Sequence, residues 1–480
     1  MTTVSERLER VVEQEAPSWG VEPTSTDVRR LREMDFAVLW GDLAVGVLVV
    51  VAGALLVPGL GLPLALLAIA IGSFLGSVPL AMVGRAGARE GVPGMVLLRP
   101  VLGTRGSYLP TVLNVAQLVG WTAFELWAMA LVAGEITGPL FGVESFYIWL
   151  AVAAAVCVAL SLGGPVLVVR RWMERFGAWV LVAAAAWITF RVLTTVDLAE
   201  VWSRPATGGF PTFGGAIDIV IALPVSWIPL VADYNRFARR GVSSAAGTLA
   251  GFAVGNAWFF ALGALLVLGG GSTPTPSGVA EGIATLAGGA LVLVVLLVGE
   301  TDEAFADIYS AAVSTQNLAP RFRQRLGIIA TTAVGVGLAA WLFGLPDEGV
   351  LTYEFFLLLL GSVFVPLFAV FVADYFVLRR SRGYAGDALF DDRGPYRYTG
   401  GFNLPAIAAW ILGFLSYHLL TEVGPATWVS WVKGVFDAFG LEHPLFGGTV
   451  PASVVSFFVA SLAYLTLPGA HRRGGAARSR

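Results

Sequence analysis

The chain has 480 residues, of which 56% are hydrophobic and only 13% charged, and its formal net charge is -3. A soluble fold of this length would need far more charge on its surface, so the composition specifies a membrane protein and excludes a soluble one. The single cysteine, Cys157, excludes an intrachain disulfide framework and a multi-cysteine metal site, and reads as a small buried residue.

Residues 1 to 34 are charged and lack the apolar core and small-residue cleavage site of a signal peptide, so the first apolar stretch is expected to act as the insertion signal. Twelve apolar stretches follow, at 36 to 58, 62 to 84, 109 to 137, 146 to 167, 177 to 196, 214 to 235, 246 to 270, 282 to 318, 326 to 345, 353 to 378, 403 to 421 and 450 to 468. Most match the roughly 20 residues that a helix needs to cross a bilayer. Arginines gather before the first stretch (Arg29, Arg30, Arg32) and in every second gap after it, as Arg85, Arg89, Arg99 and Arg105, then Arg170, Arg171 and Arg175, and so on to Arg379, Arg380 and Arg382. The alternate gaps hold Arg204 and the one lysine, Lys433, with Arg191 near a helix end. By the positive-inside rule both termini are cytoplasmic, and the plasma (inner) membrane is the expected location.

Three stretches depart from a plain apolar helix. The first contains Gly41, Asp42 and Gly46, and the sixth contains Pro224 and Pro229 around Trp227. Breaks in the first and sixth helices, five apart, suit two five-helix units in inverted topology whose unwound segments hold ions and substrate at the midplane. The eighth, read as one helix of about 50 Å, must tilt, which brings Glu300, Glu303 and Asp307 to mid-membrane as one stripe that cannot face lipid. These breaks divide the chain into a cytoplasmic segment 1 to 34, five-helix units at 35 to 200 and 201 to 380, a cytoplasmic loop 381 to 402, two appended helices within 403 to 470, and a tail 471 to 480.

The segment GRAGAREGVPGMVLLRPVLGTRGSYLP (84 to 110), the following GWTAFELW (120 to 127), FLLLLGSVFVPLFAVFVADYFVLRR (356 to 380) and FNLPAIAAWILG at the start of the eleventh stretch resemble the nucleobase:cation symporter-1 family. That family includes cytosine, purine, allantoin, hydantoin and hydroxymethylpyrimidine permeases. The resemblance covers residues 30 to 420. It implies an all-α membrane protein of twelve helices with a leucine-transporter-like 5+5 inverted repeat, broken helices one and six, and ion-coupled uptake by alternating access.

Carried onto this sequence, the resemblance puts Trp121 at an aromatic platform and Glu125 where many members have a substrate-binding glutamine. Independently, positions four apart share a helix face, and an indole beside a carboxylate suits a flat ring with a polar edge. Glu125 matches an aminopyrimidine edge, so cytosine or hydroxymethylpyrimidine is the expected substrate class. Trp227 resembles the second aromatic of the family sandwich, about three residues nearer the cytoplasmic end than the family pattern, and a packing role stays open for it. Asp307 is preferred to Asn317 as the substrate contact from the eighth helix.

Asp42 is expected to meet substrate, to take part in coupling, or to pair with a helix end. Asp233 and Asp374 are read as anchors paired to Arg236 and Arg379. For the coupling cation the resemblance points to the carbonyls of Ala44 and Val47. Asp302 and Glu303 stand where sodium-coupled members have hydroxyls. Sodium at Ala44, Val47 and Asp302, or a proton on these acids, would serve.

No phosphate loop, nucleophile elbow or dinucleotide fingerprint is present, and His418, His443 and His471 lack metal-ligand spacing, so an enzyme, a cofactor and a nucleic-acid partner are not expected. The alternatives left open are an amino-acid or polyamine carrier on the same fold, and a channel or transport-dead sensor. Oligomeric state is not legible.

Overall fold

The computed structural model describes residues 21 to 163, 178 to 380, 382 to 391 and 393 to 468. The expectations for the first 20 residues, for Arg170, Arg171 and Arg175, and for the tail lie outside these. The described residues are helical, with two isolated bridges and no strand. Each of the twelve expected stretches contains helix.

The first stretch is two helices, α1 (Glu33–Asp42) and α2 (Val47–Ala54), bent by 62° at the break between them. Next come α3 (Leu62–Glu90), α4 (Tyr108–Phe141), α5 (Phe146–Gly163) and α6 (Ala178–Thr195). The second half contributes α7 (Phe213–Asn235), α8 (Gly241–Gly270), α9 (Pro276–Ala284), α10 (Gly289–Leu318), α11 (Gln324–Phe343) and α12 (Pro346–Val372), the last continuing as a π-helical turn over Ala373–Leu378. The described part of the chain ends in α13 (Leu404–Leu420), α14 (Ala426–Ala438) and α15 (Ala452–Thr466). Among the described residues, six helices are long and apolar enough to cross a membrane, and the bent pair α1–α2 makes a seventh, while four more apolar helices are shorter.

Two expectations are corrected. The sixth stretch is not broken: α7 runs without interruption from Phe213 to Asn235 through Pro224 and Pro229. Each proline removes one backbone donor, but α7 is buried along its length, so its neighbours hold it in place. The Gln117 amide of α4 donates to the Ser226 carbonyl at 2.9 Å. The eighth stretch is not one long helix either. It parts between Ala284 and Gly289, where Gly288 takes a left-handed φ of 79° that a side chain would resist. Glu300 then lies eleven residues into α10, about 17 Å from its start, roughly half the thickness of a hydrocarbon layer of about 30 Å, so a central position would need no tilt.

Glycine sets the packing of the broken span. On α8, Gly247, Gly251, Gly255 and Gly263 present a bare face to the backbone of α1 and α2, where an added Cβ would collide with Glu33, Ala37, Gly41 and Val50. On α3, Gly72, Gly76, Gly84 and Gly87 do the same for α7. Such small-residue seams let helix backbones approach where lipid offers no hydrophobic drive.

Candidate functional site

The break in the first span leaves the N-terminus of α2 without a helical neighbour, so its first donors need an acceptor. Glu300 of α10 supplies it: the Val47 N–H donates to Glu300 Oε1. Gly46 lies directly beneath, where a Cβ would stand 2.5 Å from both Glu300 Oε1 and Glu303 Oε1. A side chain there would force one of the two carboxylates to move. The Tyr353 hydroxyl of α12 donates to the Leu48 carbonyl at 3.1 Å, which fixes the first turn of α2 from the other side.

Glu125 enters from α4. Carboxylate oxygens of Glu125, Glu300 and Glu303 lie within 4.8 Å of one another, and the three residues are 0%, 0% and 3% exposed. Both Glu125 oxygens, Glu300 Oε2 and Glu303 Oε1 have no hydrogen-bond partner among the described residues. Carboxylates this close in a water-poor setting cannot all stay ionised without a counter-charge, so the trio is built to hold protons or a cation.

Trp121, one turn before Glu125 on the same face, is 4% exposed. Its ring centroid is 6.0 Å from Tyr353 and 5.3 Å from Phe356, both edge-on, and Phe124 extends the wall at 5.3 and 5.2 Å from the same two rings. Its indole N–H has no partner among the described residues. Trp227 of α7 is edge-on to Trp40 at 6.0 Å, and Trp40 donates to Asn235 at 2.9 Å.

Of the expected cation pair, Glu303 joins the trio, and both Glu303 and Asp302 lie in the field of Asp42. Asp42 and Asp302 are buried, each with one oxygen lacking a partner among the described residues. Ala44 lies within the break, and Val47, which begins α2, touches the trio through its N–H to Glu300. Asp307 is buried one turn beyond Glu303 with a free Oδ2. Asn317, the competing candidate, is engaged at the far end of α10, donating to Thr111 at 2.8 Å and accepting from Arg99 at 2.9 Å.

Asp374 is the anchor expected of it, 2.9 Å from Arg379 and accepting from Tyr384 and Tyr464. Asp233 feels Arg236, but its carboxylate takes the Gly94 N–H at 2.9 Å, and Arg236 donates instead to the Asp233 carbonyl. Sequence reasoning read Gly46 only as part of a helix break, and it assigned no role to Tyr353 or to the Gln117–Asn114–Ser314 chain that ties α4 to α10. For Glu300 a signal existed in the acidic stripe. For Tyr353 there was none.

Residues 23–445 match the family described as permease for cytosine/purines, uracil, thiamine, allantoin. The chain is 27% identical over 448 residues to the hydantoin permease of Microbacterium maritypicum, covering 88% of this chain and 87% of that protein. It is 24% identical over 393 residues to the cytosine permease of Escherichia coli (strain K12), covering 81% and 85%. Its fold is similar to that of Mhp1, a nucleobase-cation-symport-1 family transporter solved in a closed conformation with bromovinylhydantoin bound, at a TM-score of 0.73, 23% identity and coverage of 95% and 98%. A membrane-helical chain that matches one family along nearly its whole length, and shares its fold, is a transporter rather than an enzyme: it belongs to the cytosine/purine, uracil, thiamine and allantoin permease family.

Proposed function

We propose that this protein imports a nucleobase-related heterocycle, an aminopyrimidine such as cytosine or hydroxymethylpyrimidine, by ion-coupled alternating access. The observation that carries the reading is Trp121 and Glu125 on one buried face of α4, with Glu125 meeting Glu300 and Glu303 at the break of the first span. The ring would stack on Trp121, and Glu125 would read its amino edge, with Asp307 and Trp227 as further contacts and Asp42 at the rim. The coupling ion, a proton or sodium, would be held by Glu303, Asp302 and the Ala44 and Val47 carbonyls. Glu300 joins that set because it caps the half-helix those carbonyls belong to. The hydantoin and cytosine permeases among its relatives support the substrate class.

In this reading the chain crosses the plasma membrane twelve times with both termini cytoplasmic, as two inverted five-helix units at 35 to 200 and 201 to 380 with two helices appended. A polyamine or amino-acid carrier would use the same carboxylates but leave the wall of Trp121, Phe124 and Phe356 without a purpose. The test is uptake of radiolabelled cytosine, hydroxymethylpyrimidine, adenine, uracil and hydantoin into proteoliposomes, under proton and sodium gradients imposed separately. Saturable aminopyrimidine uptake that fails in Trp121→Ala and weakens in Glu125→Gln is expected. Uptake of none of the five compounds under either gradient would defeat the reading.

A further inference from the structure

Where the platform of α4 meets the break of the first span, negative charge is left unbalanced. The charged neighbours of Glu125 are Glu300, Glu303 and Asp307, all acidic, and Asp302 faces Asp42 alongside. The positive end in contact with the trio is the N-terminus of α2, through Val47, and a helix terminus supplies only about half a unit charge. Both oxygens of Glu125 project from a separate helix toward the Glu300–Glu303 pair without a hydrogen bond among the described residues.

The neighbouring surface is an independent observation. One turn away on α4 stands a buried indole whose N–H has no partner among the described residues, walled by Tyr353 and Phe356. Tyr353 belongs to both features, since it is edge-on to Trp121 and lies in the field of Glu125, Glu303 and Glu300. A metal ion or protons would satisfy the carboxylates only, and a second, neutral molecule would be needed to fill the indole and the ring wall. A ligand that joins a positive group to an aromatic ring uses both.

We infer that the transported heterocycle is a cation at neutral pH, with its positive group held among Glu125, Glu300 and Glu303 and its ring against Trp121. This rests on the heterocycle reading of the site but puts, in place of a neutral base with a separate ion on Glu300 and Glu303, a ring compound bearing a protonated amine, an amidine or a quaternary nitrogen. Such a substrate brings its own charge across, so the membrane potential acts on it directly.

Two probes share ring and size: an aminopyrimidine bearing an aminomethyl group, and the same aminopyrimidine bearing a hydroxymethyl group. Binding to the purified full-length protein is measured by calorimetry, and uptake in liposomes under an inside-negative potential. The ammonium member is expected to bind about tenfold or more tighter, the usual worth of a charge-assisted pair. Glu125→Gln should narrow that gap to roughly threefold or less with its melting temperature retained, and Glu303→Gln serves if the first variant does not fold.

Equal or tighter binding of the hydroxymethyl member overturns the inference and leaves the heterocycle reading intact. Binding of neither defeats both. Saturable binding of calcium or manganese to the substrate-free protein, lost in Glu125→Gln, overturns the inference in favour of a metal site.

Discussion

Gly46 is the residue on which the site geometry turns, because it lets two carboxylates approach the backbone of a broken helix. Adding a methyl group there would push Glu300 or Glu303 away and cost the charged hydrogen bond to Val47, on the order of 1.5 to 3 kcal/mol. Gly46→Ala is therefore expected to weaken substrate binding about ten- to a hundredfold, with the protein still inserted and monodisperse. Titration calorimetry measures it, and unchanged affinity would show that the contact does not matter. Tyr353→Phe removes only the hydroxyl that reaches Leu48, about 1 kcal/mol, and should cost several-fold while keeping the ring wall. What could be read in the sequence at this scale was local. Trp121 and Glu125 share a face by helical periodicity alone, and the stripe of Glu300, Glu303 and Asp307 follows from the same rule. The pairing of Val47 with Glu300 spans 253 residues, and that of Leu48 with Tyr353 spans 305, so no periodicity reveals either.

At the level of elements, proline was a poorer guide than glycine. Gly41, Asp42 and Gly46 did mark a real break, since a helix with acids of another helix pressed against its backbone cannot close its own ladder there. Pro224 and Pro229 marked none. The Pro224 ring fits over Gly76 of α3, and the surrounding helices hold α7 straight enough to stay continuous. The start of the eighth stretch was misjudged because Gly288 and Gly289 are embedded in an apolar run, where hydropathy does not register a change of direction.

A second element deserves a measurement. The turns after α3 and the segment after α12 are stitched together, with Asn403 N–H donating to Leu102 at 2.7 Å, Arg105 N–H to Gly401 at 3.0 Å and the Tyr398 hydroxyl to Pro100 at 2.6 Å. Arg99 links this plate to α10 by donating to Asn317 and to the Leu389 carbonyl, each at 2.9 Å. Arg99→Ala should release α10 from the plate. The expected result is faster hydrogen exchange in residues 383 to 403 and a lower maximal uptake rate at unchanged substrate affinity, and equal exchange would refute the link.

Across the whole molecule the helices sort into two packed groups. One holds α1, α2, α3, α7 and α8 along the glycine seams, and the other holds α4, α5, α10 and α11. Contact between the groups is sparse and polar, through Gln117 with Ser226, Tyr234 with Ala306, and Val47 with Glu300. Rigid groups meeting along a thin polar layer are free to rock. A disulfide or short thiol crosslink between Gln117→Cys and Ser226→Cys, one residue in each group, should therefore stop uptake while substrate binding persists. The same crosslink between Ser73→Cys and Asn256→Cys, both in the first group, should leave uptake near normal. Transport surviving the first crosslink would rule out motion between these groups.

The hold of Glu300 on the start of α2 gives that rocking a trigger. One of its oxygens is committed to the half-helix and the other is open, so any positive charge arriving at the open oxygen competes for the same electrons. Loading the carrier would slacken the grip on α2 and unloading would restore it, so occupancy and helix orientation become two readings of one carboxylate.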